Sequence, residues 1–147
     1  VPVYFAAGMR GSLGIVITVY FYSVFIGVLL GYAIAARCSS LETANALLPT
    51  YVTVNLFFSG YLITHRDIPA GWRWYVQLDW MWFGWSALMK NQFSDFEDVN
   101  FSEGQSILAF FDMAAAPSIG ASIGILTLFA LAFFLIAWRA LASEARA

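Results

Sequence analysis

The chain has 147 residues, of which 61% are hydrophobic and only 11% are charged, and its mean hydropathy is +0.75. A soluble domain of this size could not cover so much apolar surface, so the composition indicates a membrane protein. The seven basic residues are outnumbered by nine acidic ones, and we expect no nucleic-acid partner. Three uncharged runs cover residues 11–36, 43–64 and 113–138. Each exceeds the roughly 20 residues that a helix needs to cross the hydrocarbon core.

In chain order, the pattern predicts an all-α, polytopic membrane helical bundle with a re-entrant interfacial helical segment and an external loop. The first residues are apolar and are interpreted as the end of an earlier span, so we expect the chain to be part of a longer protein. The predicted segments are the end of a preceding span (1–9), a membrane helix (10–36), a polar hinge (37–42), a membrane helix (43–64), an external region (65–112), a membrane helix (113–142) and a tail (143–147).

The sequence predicts a cap and a kink in the membrane helix over residues 43–64. Ser39 or Ser40 could cap its amino terminus, because a serine hydroxyl can accept a hydrogen bond from a free backbone N–H of the first turn. Pro49 falls inside it, which membrane helices tolerate with a kink. Glycine pairs spaced as GxxxG, at Gly27 and Gly31 and at Gly120 and Gly124, predict close helix packing inside the bundle.

Tryptophan dominates the predicted external region. Five of the six tryptophans lie between Trp72 and Trp85. Indole combines an apolar ring with a polar N–H, which favours the membrane–water interface. We therefore expect short interfacial helices that place these five indoles in one cluster at the membrane edge. The acidic loop that follows contains the sequon Asn100-Phe101-Ser102, which predicts an external loop glycosylated on Asn100.

Few polar residues could carry chemistry. His65-Arg66-Asp67 either has a functional role, as a proton relay or a gate charge, or is a solvated turn at headgroup level. Asp79 either pairs with Arg73 or faces water. Asn55 lies in mid-span, where its amide either bonds across helices or lines a cavity.

No catalytic or metal-binding pattern is present in the sequence. There is no Walker A sequence, no nucleophile elbow and no second histidine to complete a metal site. Cys38 is the single cysteine, so no disulfide forms within the chain.

Several short motifs, in order, resemble one family. They are residues 31–46, Phe58-Ser59-Gly60, Ile68-Pro69 followed by Trp72 and Trp74, Ala87-Leu88 with Asn91-Gln92-Phe93, and Gly104 with Ile107-Leu108. Together they resemble the C-terminal part of the membrane domain of G-type ABC exporters, the group of white-type and pleiotropic drug resistance transporters. Gln92 replaces the glutamate that is commoner in that family. The loop cysteines often found there are absent.

The resemblance implies a transmembrane portion of an ATP-driven exporter of lipids, sterols or xenobiotics. It implies substrate-binding residues Thr53 and Leu56 beside a central slit, and a gate formed by Tyr61 and Leu62. Asn55, in the same span, is a third candidate substrate-binding residue because its amide could line a cavity. ATP and Mg²⁺ would belong to a nucleotide-binding domain outside this chain, which itself has no ATPase motif or catalytic site.

The implied partners are that nucleotide-binding domain, the remaining membrane helices, membrane lipid, and a second half-transporter or the second half of a full-length one. We expect a multi-pass integral membrane protein in the plasma membrane. The alternative is a membrane scaffold or assembly subunit that transports nothing, with the tryptophans only anchoring it.

Overall fold

The structure, a computed structural model, describes residues 2–6, 8–38, 40–94, 100–102 and 105–144. The predicted all-α membrane class is confirmed: the described residues are mostly helical and include one short antiparallel hairpin. The helices are α1 (Pro2–Ala6), α2 (Leu13–Ala35), α3 (Leu41–Phe58), α4 (Arg73–Val76), α5 (Trp80–Phe93), α6 (Ile107–Phe110) and α7 (Ile119–Glu144). The hairpin pairs β1 (Asn100–Ser102) with β2 (Gln105–Ser106), and 3₁₀ turns cover His65–Asp67, Ala70–Trp72 and Met113–Ala115.

The centre of the bundle is formed by α2, α5 and α7, with the most extensive contact between α2 and α7. Within the described residues, α2 over Leu13–Ala35 and α7 over Ile119–Ala142 are long and apolar enough to cross a membrane. Buried side chains of α5 share one cluster with α2 and α7; its members include Val19, Ile26, Trp80, Trp82, Phe83, Leu126 and Ala130. Lipid tails are as apolar as these side chains, so in a membrane the hydrophobic effect does not drive the helices together. Close van der Waals packing stabilises this cluster instead.

The segment between α3 and α7 enters the bundle and leaves it again. Near the start of α5, a Cβ on Gly84 would lie 3.5 Å from Val19 and 3.6 Å from Ser23, which is close to the midpoint of α2. At the end of α5, the side chain of Asn91 is bonded to Ser12, the residue before α2. So α5 runs from beside the middle of α2 to its amino-terminal end, which is the expected re-entrant path.

Helix α3 is capped by Ser40, whose hydroxyl accepts a hydrogen bond from the backbone N–H of Thr43 at 3.2 Å. Ser39, the other candidate cap, lies outside the described residues. The helix continues through Pro49 and ends at Phe58, ahead of the predicted boundary at 64. It ends there because Gly60 adopts a positive φ of 82°, which no helical residue has.

The start of α7 also differs from the predicted boundary at 113. A 3₁₀ turn at Met113–Ala115 and the imide of Pro117, which lacks an N–H donor, precede the regular helix at Ile119. Asp112, before that turn, has a φ of 55°.

The expected packing role of the GxxxG pairs is wrong for the described bundle. A Cβ added to Gly27, Gly31, Gly120 or Gly124 would meet nothing within 4 Å. Close approach occurs instead at Gly11 and Gly60, where an added Cβ would lie 2.3 Å from the carbonyl oxygen of Asn91 and 2.5 Å from the ring of Trp82.

Candidate functional site

Helix α3 has two contrasting faces. One face packs toward the bundle and contains Tyr51 and Asn55. The other is exposed and follows the helical repeat; we call it the outward face and define it by Ala46, Pro49, Thr50, Thr53, Leu56 and Phe57. Two of the predicted substrate residues, Thr53 and Leu56, therefore lie on one face. In the described chain no element packs over the centre of this face, and Leu56, at its edge, is 41% exposed.

Asn55 lies on the opposite side of α3 from Thr53. Its side chain is 0% exposed. Its Nδ2 donates to the carbonyl oxygen of Tyr51 at 2.9 Å, and its Oδ1 accepts from the Tyr75 hydroxyl of α4 at 3.4 Å. The sequence allowed Asn55 either to bond to another helix or to line a cavity. The structure shows the hydrogen bond to another helix. This bond ties α4 to α3.

A groove of about 270 Å³ runs between α2, α3 and α5. Its lining is largely apolar and includes Val19, Tyr20, Ser23, Leu56, Ser59, Tyr61, Trp80, Met81, Gly84, Trp85 and Leu88. The structure thus brings the predicted substrate residue Leu56 and the predicted gate residue Tyr61 to one groove. Thr53 and Leu62 are exposed but do not line it. The Tyr61 ring packs edge-on against Trp85 at a centroid distance of 5.1 Å.

The tryptophans lie on helical elements as predicted, but they do not form one membrane-edge cluster. Trp72 and Trp74 are 54% and 60% exposed, whereas Trp80 and Trp82 are 5% and 2% exposed. The reason is the re-entrant path, which carries α5 into the bundle while α4 stays on its surface. The predicted position at the membrane–water interface therefore fits Trp72 and Trp74, but not the buried Trp80 and Trp82.

Asp79 has neither of the roles expected from the sequence. Its side chain is 0% exposed, and its Oδ1 caps α5 by accepting a hydrogen bond from the Met81 N–H at 2.9 Å. Arg73 does not pair with it; the Arg73 Nε donates to the carbonyl oxygen of Ile68 at 3.2 Å. Burial raises the pKa of Asp79 from 3.8 to about 7, against the lowering effect of hydrogen bonds from Met81 and Trp82.

The His65–Asp67 turn sits at the surface of the bundle. Arg66 and Asp67 are exposed, and Asp67 accepts a hydrogen bond from the Thr64 hydroxyl. The His65 ring stacks on Trp82 with centroids 5.2 Å apart, and its Nδ1 has no partner within the described residues. Of the two readings of this turn, the exposed Arg66 and Asp67 suit a solvated turn.

The Asn91-Gln92 pair has a structural role that sequence reasoning missed. Asn91 Oδ1 accepts from the Ser12 N–H at 2.9 Å, and Asn91 Nδ2 donates to the Ser12 carbonyl oxygen at 3.2 Å. Gln92 Oε1 accepts from the Arg10 N–H at 3.2 Å. Both side chains thus satisfy backbone groups just before α2. The sequence shows the two amides and the glycine-rich turn, but not that they meet across such a long separation.

Lys90 fixes the connection into α7. Its Nζ donates to the carbonyl oxygens of Ala116 at 2.6 Å and Pro117 at 3.0 Å. Burial lowers the pKa of Lys90. The end of α5 is therefore bonded both to the start of α2 and to the start of α7.

These features define a helical membrane domain with two long apolar helices, a third helix with an uncovered face, and a re-entrant helix that closes the bundle at one end. The sequence pattern of the ABC-2 type transporter family matches residues 1–93. The chain therefore belongs to the ABC-2 type transporter family, and it is an integral membrane protein.

Curated relatives carry ABC transporter names, and two of the three described below name the G family. ABC transporter G family member 2 of Dictyostelium discoideum is 31% identical over 104 residues, covering 66% of this chain and 8% of the relative. ABC transporter G family member STR2 of Medicago truncatula is 27% identical over 113 residues, covering 74% and 15%. ABC transporter ATP-binding protein/permease wht-1 of Caenorhabditis elegans is 26% identical over 85 residues, covering 58% and 13%. The chain thus spans a small part of each relative's length.

Proposed function

We propose that this chain is the substrate-handling membrane portion of an ATP-driven exporter of lipophilic or amphipathic molecules such as lipids, sterols or xenobiotics. The observation that supports this most is the outward face of α3, which is uncovered while the opposite face is packed and hydrogen-bonded. Its relatives bear the names of ABC transporters: one is named as a G family member and another as an ATP-binding protein/permease. ATP and Mg²⁺ would be bound by a nucleotide-binding domain elsewhere in the parent protein.

In this proposal, the outward face of α3 meets a second half-transporter, or the second half of a full-length one. Ala46, Thr50 and Thr53 are small side chains one helical turn apart, which lets another helix backbone approach closely. A substrate would pass between the two facing α3 helices and contact Thr53 and Leu56. An apolar path of this kind suits amphipathic molecules and not hydrated ions.

Tyr61 and Leu62 form the proposed gate at the carboxyl-terminal end of this path. They follow Gly60 directly and are 55% and 50% exposed. Bulky apolar side chains from two facing halves would narrow the path until water leaves it, and a dewetted constriction blocks leakage. Movement of the nucleotide-binding domains would then shift the helices and open the gate.

The test measures ATPase rate and substrate efflux on the same reconstituted full-length protein. We expect Tyr61→Ala combined with Leu62→Ala to leave ATP hydrolysis running while efflux per ATP falls severalfold. Leu56→Ala should instead change the preference among substrates. Leu135→Ala is the matched control, because Leu135 is an exposed leucine on α7, away from the outward face.

Two results would contradict the proposal. If efflux per ATP were unchanged in the Tyr61→Ala/Leu62→Ala variant, these two residues would not form a gate. A full-length protein that hydrolyses ATP but moves none of a panel of lipids, sterols and drugs would favour the scaffold alternative. We also place the parent protein in the plasma membrane, which surface biotinylation of intact cells would test.

A further inference from the structure

The surface around α4 combines one cation with two exposed indoles. Trp72, Arg73 and Trp74 are consecutive, and all three side chains are exposed. Leu78, also exposed, extends the apolar part of this surface. Such a mixture of a guanidinium and amphipathic rings on one short segment suits the boundary between lipid headgroups and acyl chains. We call these four residues the α4 patch.

Contacts with the bundle anchor the α4 patch from beneath. Ile68, which precedes the patch, and Val76, which lies between Trp74 and Leu78, are buried. The Trp72 ring stacks on Phe58, the last residue of α3, with centroids 5.9 Å apart. The hydrogen bond from Tyr75 to Asn55 fixes the next turn. The patch is therefore preorganised, which lowers the entropy cost of binding a ligand.

The guanidinium of Arg73 is positioned but not neutralised. Its Nε donates to the Ile68 carbonyl oxygen, and it forms no ion pair with the described residues. This bond orients the group while leaving its terminal N–H donors for another acceptor. Guanidinium binds phosphate through paired, charge-assisted hydrogen bonds. The neighbouring indoles offer apolar rings to the glycerol backbone and the first methylenes of a lipid.

We infer that the α4 patch binds the phosphate of one phospholipid headgroup through Arg73, with Trp72 and Trp74 on either side of it. The bound lipid stabilises α4 and, through Tyr75 and Asn55, its attachment to α3. The inference needs only a membrane-embedded bundle and does not depend on the proposed transport function. Its failure would leave that proposal unaffected.

The experiment uses the full-length protein, delipidated in a neutral detergent, and follows thermal unfolding while short-chain lipids are added. The probes are dioctanoyl phosphatidylglycerol, dioctanoyl phosphatidylcholine, dioctanoylglycerol and inorganic phosphate. We expect a saturable rise in unfolding temperature with both phospholipids, and little with dioctanoylglycerol or with phosphate alone. Arg73→Gln should weaken the apparent affinity roughly tenfold or more, as expected for a lost charged hydrogen bond.

Arg66→Gln is the matched control, since Arg66 is an exposed arginine in the neighbouring turn but lies outside the patch. It should leave the titration nearly unchanged. Equal losses in Arg66→Gln and Arg73→Gln would show a general charge effect and overturn the inference, as would equal shifts with dioctanoylglycerol. If Arg73→Gln does not fold, native mass spectrometry of Arg73→Lys replaces it. A reduced occupancy of phosphatidylglycerol is then expected, and unchanged occupancy would contradict the site.

Discussion

Gly60 joins α3 to the re-entrant segment, and its replacement by alanine should destabilise the bundle for two separate reasons. Its φ of 82° lies in the left-handed region, which a Cβ disfavours. A Cβ at this position would also lie 2.5 Å and 2.7 Å from two ring atoms of Trp82. Trp82 cannot move aside easily, because it is buried in the central cluster.

The size of the effect follows from these two terms. The left-handed backbone costs an alanine about 1–2 kcal/mol. Forcing an extra carbon into a packed core costs about 1–3 kcal/mol. Gly60→Ala should therefore lower the free energy of unfolding by about 2–5 kcal/mol.

Unfolding of the full-length protein in mixed detergent–SDS titrations, followed by tryptophan fluorescence, measures this loss. Gly8→Ala is the control for backbone strain alone, because Gly8 has a φ of 61° and open space around it. Gly11→Ala is the control for a clash alone, without a positive φ. If Gly60→Ala destabilised no more than Gly8→Ala, the contact between α3 and Trp82 would be absent and the re-entrant packing would be wrong.

Two further predictions follow from the re-entrant segment and its loop. Since burial raises the pKa of Asp79 to about 7 from 3.8, its contribution to stability is fully present below pH 3.8 and is lost as the pH rises through about 7. Asp79→Asn keeps a capping oxygen, so it should flatten the pH dependence of unfolding and stabilise the protein at pH 8 by up to about 4 kcal/mol; an unchanged pH profile would contradict this. Asn100→Gln should abolish a glycosidase-sensitive mobility shift of the full-length protein in a eukaryotic host. If cysteines engineered into the loop around Asn100 were labelled only from the cytosolic side, the predicted external position of this loop would be wrong.

The helices and the re-entrant segment could be predicted from the sequence because hydrophobic run length and proline or glycine breaks are local signals. The uncharged runs led directly to α2 and α7. Ser40 was recognisable as a cap for the same reason. Helix ends were less accurate, since the positive φ of Gly60 and the 3₁₀ turn before α7 depend on contacts made elsewhere.

The roles of individual polar and glycine residues could not be predicted because they depend on distant partners. From the sequence, Asp79 was expected either to pair with Arg73 or to face water, yet it is buried where it caps α5. The GxxxG spacing is local, but whether another helix approaches it is not, and the described bundle leaves those glycines open. Asn91 and Ser12 meet only because α5 returns to the start of α2.

For the candidate site, the family resemblance implied that Thr53 and Leu56 lie beside one slit, and the structure places both on the outward face of α3. The resemblance could not show that Asn55, so close to both in sequence, would bond to Tyr75 on the other side of α3. Nor could it show that Leu56 and Tyr61 line a groove with residues of α2 and α5. These features required the three-dimensional path of the re-entrant segment.

The central claim, that the outward face of α3 lies against a second transporter half, is tested most directly by disulfide cross-linking. Thr53→Cys would be introduced into a cysteine-free form of the full-length protein, in which Cys38 and every cysteine outside this chain are replaced by serine. Membranes would be oxidised with copper phenanthroline. Leu135→Cys, on the exposed surface of α7, is the control. The account predicts a cross-linked product for Thr53→Cys that changes in yield when ATP is added, and none for Leu135→Cys. Cross-linking of Leu135→Cys but not of Thr53→Cys would contradict it.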